Sequence, residues 1–317
     1  MSIPALFLMG PTASGKTGLA LALARYVAEG RTPWRAVRLI SVDSAQIYRG
    51  MDIGSAKPSP DLLAQWPHAL IDILDPAEPY SAARFRDDAW PLITAARTAG
   101  ELPVLVGGTG LYFRALEQGL SEMPAADETV RAALKAEAAR EGWDRLHERL
   151  RAQDPAAADK IKPNDRQRLL RALEITALTG ETRSAHWKKS KSPALPGPLV
   201  KVALMPPERA MLHAVIAERF HAMMAVGFLD EVRHLKARAD LHLGLPSMRA
   251  VGYRQLWEHL DGECGLDEAV ERGIVATRQY AKRQLTWLRG EPSVHWLDPH
   301  QPSVLENLLQ RFHSVAE

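Results

Sequence analysis

The stretch from residue 10 to residue 17 decides the fold of this chain, and it reads Gly10-Pro11-Thr12-Ala13-Ser14-Gly15-Lys16-Thr17. It fits the pattern G-x-x-x-x-G-K-[ST], in which glycines let the backbone turn tightly and point successive N–H groups inward. The N-terminus of the next helix and the Lys16 ammonium add positive charge, and the Thr17 hydroxyl is placed to reach a Mg²⁺ ion. The pattern predicts a site for a diphosphate or triphosphate, without specifying ATP.

The residues on both sides of this loop have the composition that the pattern requires. Residues 5–9 form a short apolar run typical of a buried strand, and residues 19–27 combine apolar side chains with good helix formers. A strand, a phosphate-binding loop and a helix in this order predict an α/β fold. We expect a parallel sheet flanked by helices, like that of the P-loop NTPases.

The overall composition is that of an ordinary globular protein. Its 317 residues are 46% apolar and 25% charged, and the formal net charge is only +2. Cys264 is the only cysteine, which excludes an internal disulfide and a zinc site built on cysteines. No apolar run reaches the roughly 18 residues of a membrane span, and the N-terminal apolar run continues directly into the loop. We therefore expect a cytoplasmic protein that does not bind membranes. We also expect it to be a monomer.

A second strand is predicted at residues 37–42, and Asp43 follows directly at its carboxyl end. Ligands of open α/β sheets bind beyond the carboxyl ends of the strands, so this carboxylate is aimed at the site that Lys16 also serves. An Asp after a strand is equally typical of a cap that accepts backbone N–H groups from the next turn. The sequence alone leaves both interpretations open.

A third buried strand is predicted at residues 102–106, preceded by a short strand at 70–74 and a helix from Ser81 to about residue 99. This third strand leads into Gly107-Gly108-Thr109-Gly110. P-loop ATPases and GTPases usually place an Asp at such a position to help hold Mg²⁺. The glycines found here instead allow a substrate to approach the backbone closely.

Residues 121–196 have a different character and are predicted to be a helical insertion. Residues 127–153 are helix-forming and heavily charged, Asp154-Pro155 is typical of a helix start, and Asn164 or Asp165 begins another helix. Nine basic and only three acidic residues lie between residues 160 and 191, and residues 188–193 form a basic linker. The basic stretch is either a solvated face or an anion-binding surface. A strand at residues 200–205 then returns to the core, which comprises residues 1–120 and 197–317.

The C-terminal part is predicted to be mostly helical. A helix that opens at Pro206-Pro207 carries an apolar stripe, which we expect in the core. The members of this stripe are Leu212, Val215, Ile216, Phe220 and Met223. Residues 272–289 contain five cationic side chains and no acidic one, so this helix is expected to face an anion. Trp257, Trp287 and Trp296 are expected in the core rather than stacked on bases.

Several motifs together resemble the bacterial tRNA dimethylallyltransferases, which are also called tRNA isopentenyltransferases. They comprise the loop at residues 10–17, Ser41-Val42-Asp43-Ser44-Ala45-Gln46-Ile47-Tyr48-Arg49-Gly50-Met51-Asp52-Ile53-Gly54, Val106-Gly107-Gly108-Thr109-Gly110-Leu111-Tyr112, Asn164-Asp165-Arg166-Gln167-Arg168, Val251-Gly252-Tyr253-Arg254-Gln255 and Arg278-Gln279-Tyr280-Ala281-Lys282-Arg283-Gln284. These motifs span most of the chain in the family's order, which makes the resemblance specific.

The resemblance implies a P-loop core with an all-helical insertion domain that contacts tRNA. It also implies transfer of a dimethylallyl group from dimethylallyl diphosphate to the exocyclic amine of an adenosine. That adenosine lies at position 37, in the anticodon loop of tRNA. Diphosphate is the leaving group, and Mg²⁺ near Thr17 would neutralise the charge that grows on it.

The resemblance also assigns roles to individual residues. It implies that Asp43 is the general base and that Lys16, Thr17 and Arg219 act on the diphosphate, which the loop of residues 10–17 binds. The residues expected at the tRNA are Asp43, Ser44, Ala45, Gln46, Thr109, Arg131, Gln167, Arg168, Leu169, Leu170, Arg171, Arg249, Gly252, Tyr253, Arg254, Lys282, Arg283 and Gln284.

Three other functions remain open on the sequence. The chain could be a small-molecule P-loop kinase with the insertion as a lid, although the missing Asp after the third strand argues against it. It could be a nucleotide switch or RNA-binding module without chemistry, which would bind GTP or ATP tightly. It could also be an isopentenyltransferase that acts on free AMP or ADP, although the long basic insertion favours tRNA.

Overall fold

The structure is a computed structural model that describes residues 3–188 and 192–313. The chain forms two compact units: Met1–Leu116 together with Pro196–Glu317, and Glu117–Leu195. The second unit therefore comprises residues 117–195, whereas the sequence analysis expected the insertion to comprise residues 121–196. The basic linker expected at residues 188–193 falls in large part on residues 189–191, which lie outside the described residues.

The first unit contains a six-stranded parallel sheet in the order β3-β2-β4-β1-β5-β6. Its strands are β1 Ala5–Met9, β2 Val37–Val42, β3 His68–Ala69, β4 Leu102–Gly107, β5 Leu199–Leu204 and β6 His295–Leu297. The five residues of β1 and the six of β4 are all buried, which explains why both strands are continuous apolar runs.

Helices make up most of the remaining chain. They are α1 Lys16–Ala28, α2 Pro60–Gln65, α3 Ala82–Thr98, α4 Gly110–Gln118, α5 Glu128–Glu141, α6 Trp143–Gln153, α7 Pro155–Ala158, α8 Arg166–Thr179, α9 Arg183–Lys188, α10 Arg209–Ala225, α11 Phe228–Lys236, α12 Tyr253–Leu260, α13 Leu266–Arg289 and α14 Val304–His313. Helices α5 to α9 belong to the second unit. Of the described helices, none alone is long and apolar enough to cross a membrane, and α10 and α11 qualify only as a pair bent by 64°.

The strands predicted at 5–9 and 37–42 are confirmed, and those at 102–106 and 200–205 are confirmed to within one residue. The strand predicted at 70–74 is wrong. Strand β3 is only His68–Ala69, because Leu70 and Asp72 have positive φ angles of 64° and 56° that an extended strand does not permit. Leu74 keeps a single bridge to Tyr48.

Helices α10 to α13 bury a second apolar core beside the sheet. Leu212, Ile216 and Phe220 lie in it as predicted from the stripe on α10, but Val215 is 37% exposed, because its position on the helix turns it outward. Trp257 is buried as predicted. Trp296, in contrast, is 42% exposed, because it lies on β6 at the edge of the sheet, where only one neighbouring strand pairs with it.

The second unit is a helical unit with its own apolar core. Leu134, Leu146, Leu150, Leu169 and Leu173 pack together between α5, α6 and α8. The predicted helix start at residue 154 is confirmed, since the Asp154 carboxylate accepts the Ala157 N–H at 3.1 Å. Helix α8 is capped in the same way by Asp165 and ends at Gly180 with φ 71°, as predicted.

Candidate active site

The carboxyl ends of β1, β2 and β4 open into a cavity of about 670 Å³ within the first unit. Such a volume lies in the range of small-molecule sites, and the position is the one expected for a ligand of an open α/β sheet. The lining side chains come from the loop of residues 10–17, the segment after β2, and helices α10 and α13. Lys16, Asp43 and Arg219, which the sequence singled out, all line this one cavity.

The loop of residues 10–17 has the conformation that its glycines permit. Gly15 has a φ of 82° and immediately precedes α1. A side chain at Gly10 would approach Ser14 Oγ to 2.5 Å and the Leu204 carbonyl to 2.9 Å. The backbone thus folds tightly between β1 and α1 and leaves the N-terminus of a 13-residue helix facing the cavity, which is a favourable position for an anion.

The Lys16 side chain folds back over this loop. Its ammonium donates hydrogen bonds to the Pro11 carbonyl at 2.6 Å and to Ser14 Oγ at 3.4 Å. The pKa of Lys16 is lowered to about 8. Burial has the largest effect and lowers it, the Asp43 carboxylate raises it, and the Arg219 guanidinium lowers it. When no anion is bound, Lys16 therefore loses its proton at a lower pH than an exposed lysine does.

Arg219 is a second cation at the cavity, on α10. Burial lowers its pKa, and the nearby Asp43 carboxylate partly opposes that effect. Within the described part of the chain, the guanidinium forms no hydrogen bond or ion pair. Arg219 is half-buried, and a partly desolvated guanidinium without a partner favours an anionic ligand at this site.

The structure reconciles the two interpretations of Asp43. Its Oδ1 accepts the N–H groups of Ala45 at 2.8 Å and Gln46 at 3.3 Å, so the residue does cap the turn after β2. Among the described residues, none donates a hydrogen bond to Oδ2. One carboxylate oxygen thus fixes the orientation of the side chain, and the other is free to accept a proton from a ligand.

Gln46 is held in a defined orientation by three polar neighbours. The Ser41 hydroxyl donates to Oε1 at 3.1 Å, while Nε2 donates to the carbonyls of Ser55 at 3.4 Å and Ala56 at 3.3 Å. These contacts fix both the oxygen and the nitrogen of the amide. The second lone pair of Oε1 remains able to accept a hydrogen bond from an N–H group of a planar base.

Glu231, on α11, is a residue that sequence reasoning missed. Its carboxylate accepts the backbone N–H groups of Asp52 at 2.9 Å, Ile53 at 2.7 Å and Gly54 at 3.1 Å, together with the Tyr253 hydroxyl at 2.6 Å. It thereby holds the loop whose carbonyls orient Gln46. No local signal could identify it, since the loop lies 177 to 179 residues away in sequence.

Tyrosines form part of the wall around Asp43 and were also missed. Tyr48, Tyr112 and Tyr280 line the cavity. Burial is the first cause that raises the pKa of each phenol, and the Asp43 carboxylate raises those of Tyr112 and Tyr280 further. These phenols therefore stay neutral and present aromatic faces and O–H donors to a ligand.

The residues expected at the tRNA are placed in three different ways in the first unit. Ser44, Arg249, Arg254, Lys282 and Arg283 are exposed. Asp43, Ala45, Gln46 and Thr109 are half-buried around the cavity. Gly252, Tyr253 and Gln284 are buried, and the last two contribute to the lining of the cavity. Arg272 is paired with Glu268 in the preceding turn of α13, so the basic helix is partly neutralised at that end.

In the second unit, the expected residues are divided in a similar way. Gln167 and Arg168 are exposed on α8, Leu170 is half-buried and Leu169 is buried in the core. Arg131 and Arg171 both pair with the fully buried Glu174 carboxylate, at 2.9 Å and 2.7 Å. These two arginines therefore compensate a buried charge of the protein itself.

No group of three or more His, Cys, Asp or Glu side chains capable of holding a metal occurs among residues 3–188 and 192–313. The Thr17 hydroxyl lines the cavity at the start of α1 and is exposed there. A Mg²⁺ ion in such a site takes most of its ligands from water and from the phosphates of its substrate. The donors present thus fit a substrate-borne Mg²⁺ rather than a metal bound by the protein alone.

A phosphate-binding loop, two cations and a strand-end carboxylate that share one cavity define a P-loop α/β protein with a site for a phosphorylated substrate. The absence of an acidic residue after β4 separates it from the nucleotide hydrolases of that class. The chain belongs to the IPP transferase family, whose profile matches residues 46–291.

Two curated relatives cover nearly the whole chain. A protein named tRNA dimethylallyltransferase 2 from Hahella chejuensis is 52% identical over 316 residues, covering 96% of this chain and 93% of the relative. A tRNA dimethylallyltransferase from Alkalilimnicola ehrlichii is 57% identical over 299 residues, covering 94% of this chain and 92% of the relative.

Solved structures with the same fold include that of a tRNA isopentenylpyrophosphate transferase from Bacillus halodurans. It is 38% identical, with a TM-score of 0.69, and the alignment covers 99% of this chain and 95% of that one. A eukaryotic dimethylallyltransferase described as acting on tRNA is 23% identical, with a TM-score of 0.76 over 98% of this chain and 78% of that one. This second likeness supports the α/β fold.

Proposed function

We propose that this protein is a tRNA dimethylallyltransferase, which transfers a dimethylallyl group from dimethylallyl diphosphate to the exocyclic amine of adenosine 37 in the anticodon loop of tRNA. The observation that carries this proposal is the shared cavity of Lys16, Arg219 and Asp43. It combines a site for the leaving diphosphate with a base for the attacking amine. Family membership and the names of the relatives support the same activity.

The proposed reaction is a substitution at carbon. The adenine amine attacks the first carbon of the dimethylallyl group, a C–N bond forms and the C–O bond to diphosphate breaks. The electron pair of that C–O bond leaves with the diphosphate, and the proton of the amine passes to Asp43 Oδ2. The loop amides, Lys16 and Arg219 stabilise the negative charge that develops on the leaving oxygen.

The residues present are compatible with Mg²⁺ at the diphosphate. The Thr17 hydroxyl would be the protein ligand, with the diphosphate and water supplying the others. The ion would neutralise charge on the leaving group. Gln46, with its amide fixed by Ser41 and the loop at residues 55–56, would orient the adenine.

A tRNA acceptor is supported by exposed cations near this cavity and by the names of the relatives. Arg249 and Arg283 line the cavity and are exposed, which suits phosphate contacts on a single-stranded loop. An adenosine in such a loop leaves its stack at little cost and can enter the cavity. A tRNA substrate would also place the reaction in the cytoplasm.

Incubation of dimethylallyl diphosphate, labelled in its carbon chain, with bulk tRNA and separately with AMP tests the proposal. We expect the label in tRNA, together with release of unlabelled diphosphate. Label in AMP alone would identify a free-nucleotide enzyme, and transfer from ATP with no transfer from dimethylallyl diphosphate would identify a kinase. Lys16→Ala should abolish transfer while tRNA affinity stays within about twofold, since this side chain lies on the phosphate loop.

A further inference from the structure

The side chain of Gln284 joins two backbone segments of the candidate active site. Its Oε1 accepts the Thr12 N–H at 2.9 Å, and its Nε2 donates to the Gly108 carbonyl at 3.0 Å. Thr12 lies in the phosphate-binding loop, and Gly108 follows β4. Gln284 itself lies on α13 and is 7% exposed. A helix from the C-terminal part of the chain is thus hydrogen-bonded to both loops at once.

The absence of a side chain at Gly108 leaves room for the Gln284 amide. A side chain on Gly108 would come within 2.1 Å of Gln284 Nε2, so only glycine allows the approach. The two bonds need one acceptor and one donor at adjacent atoms, which a glutamine amide provides and a carboxylate or hydrocarbon of similar size does not. Both backbone groups would otherwise be partly buried without a partner.

We propose that Gln284 is a positioning residue that holds the phosphate-binding loop in its diphosphate-binding conformation. The proposal rests on the diphosphate-binding role of this loop. The Thr12 N–H is already occupied by Gln284 and is not available to a ligand. Gln284 therefore determines which of the loop amides face the diphosphate before the substrate arrives, which lowers the ordering cost of binding.

This role differs from the direct tRNA contact that the family resemblance implied for Gln284. Its neighbours Lys282 and Arg283 are exposed on the same helix, whereas Gln284 points inward and has both ends of its amide engaged. The residue therefore connects the basic surface of α13 to the phosphate loop.

Binding of inorganic pyrophosphate to the full-length protein in the presence of Mg²⁺ tests the proposal by calorimetry. Gln284→Met keeps a similar volume and removes both hydrogen bonds, so pyrophosphate affinity should fall about tenfold. Affinity for tRNA, measured by gel shift without dimethylallyl diphosphate, should stay within about twofold of wild type. Gln279→Met is the matched control, because Gln279 is exposed on the same helix, and it should leave pyrophosphate affinity unchanged.

Gln284→Glu provides a second test that does not depend on the stability of the first variant. Its carboxylate still accepts the Thr12 N–H but lacks the proton that the Gly108 carbonyl requires, and a carboxylic acid restores it. The ratio of variant to wild-type pyrophosphate dissociation constants should therefore fall towards one as the pH is lowered from about 9 to about 5.5. The wild-type protein is measured at each pH as the reference, and Lys16, Tyr280 and Arg283 line the same cavity in both proteins.

The outcomes are distinct. Loss of tRNA affinity with unchanged pyrophosphate affinity in Gln284→Met would overturn the proposal and restore a direct tRNA contact. A pH-independent ratio for Gln284→Glu would also overturn it, even if Gln284→Met unfolds. Failure of the wild-type protein to bind pyrophosphate would instead contradict the proposed function of the loop.

Discussion

Lys16 has to satisfy opposite requirements in the free and the ligand-bound protein. A charged ammonium is needed to bind diphosphate, yet burial without an anion lowers its pKa to about 8. The hydrogen bonds to the Pro11 carbonyl and Ser14 Oγ keep it in place over the loop in the free protein. The diphosphate of the proposed reaction would supply the missing negative charge, so its binding and the protonation of Lys16 would be coupled.

The affinity for pyrophosphate should accordingly weaken as the pH rises above about 8, relative to a Lys16→Arg variant that stays charged. Calorimetry in two buffers of different ionisation enthalpy should detect proton uptake on binding at pH 8. The stability of the free protein should rise between pH 8 and pH 10.5, because the unfolded chain binds the lysine proton up to the higher value. An affinity ratio that does not change with pH would contradict the lowered pKa of Lys16.

Replacement of Asp43 separates its two roles. Asp43→Asn keeps an oxygen for the Ala45 and Gln46 N–H groups but cannot accept a proton, so kcat should fall by roughly 10²–10⁴. Pyrophosphate affinity should stay equal or increase, because a negative charge beside the anion site is removed. Single-turnover transfer to tRNA measures the chemical step. Near-wild-type turnover would mean that Asp43 is only a cap.

Among individual residues, the sequence could predict the reactive and charged side chains of the site but not the side chains that orient them. Lys16, Thr17 and Asp43 are recognisable because a loop motif and a strand end place them locally. The positions of Glu231 and Gln284 depend on helices far along the chain, 177 to 179 residues from one loop and 272 residues from the other. Such long-range contacts leave no spacing pattern in the sequence.

Helix α11 contributes to the site through one carboxylate. Glu231 accepts four hydrogen bonds, three of them from consecutive backbone N–H groups at residues 52–54. Packing beside it is tight, since a side chain on Gly54 would lie 2.0 Å from the Phe228 ring. This helix therefore adds a long-range anchor to the local hydrogen bonds of the loop that orients Gln46.

Removal of this carboxylate should destabilise the protein more than removal of its neighbour. Glu231→Ala leaves several partly buried donors without acceptors and should lower the free energy of unfolding by about 2–4 kcal/mol. Asp230→Ala is the control, since Asp230 is exposed and paired only with Arg233, and it should cost less than about 1 kcal/mol. Urea unfolding of both variants measures the difference, and equal values would contradict the loop-holding role.

Among the elements of the fold, continuous apolar runs predicted the central strands well because both faces of those strands are covered. The short strand β3 could not be located, because it has two residues and its successor Leu70 turns to positive φ. The exposure of Val215 and Trp296 was likewise not predictable, because hydrophobicity alone does not tell a core position from one at a helix flank or a sheet edge.

The charge of the whole molecule is nearly balanced, so an RNA-binding surface depends on where unpaired cations lie. Many arginines are neutralised locally, as Arg168 is by Asp165 at 3.1 Å and Arg238 is by Asp75 at 2.8 Å. Lys282 and Arg283 are exposed and form no ion pair within the described part of the chain. Together with Arg249, they are candidates in the first unit for phosphate contacts.

Removing these two cations should reduce the salt dependence of tRNA binding. For Lys282→Ala with Arg283→Ala, the slope of log affinity against log salt should fall by about 0.7 for each single-stranded phosphate that the variant no longer neutralises. Arg233→Ala is the control, because Arg233 is exposed but paired with Asp230, and its slope should equal that of wild type. An unchanged slope in the double variant would remove α13 from the tRNA interface.

The most direct test of the proposed activity uses two anticodon stem-loops that differ only at position 37, one with adenosine and one with guanosine. Each is incubated with the wild-type protein, Mg²⁺ and dimethylallyl diphosphate, and the digested nucleosides are analysed by mass spectrometry. We expect adenosine carrying one dimethylallyl group on its exocyclic amine, one diphosphate released per modification, and no product from the guanosine stem-loop. Equal modification of both stem-loops, or diphosphate release without a modified nucleoside, would contradict the account.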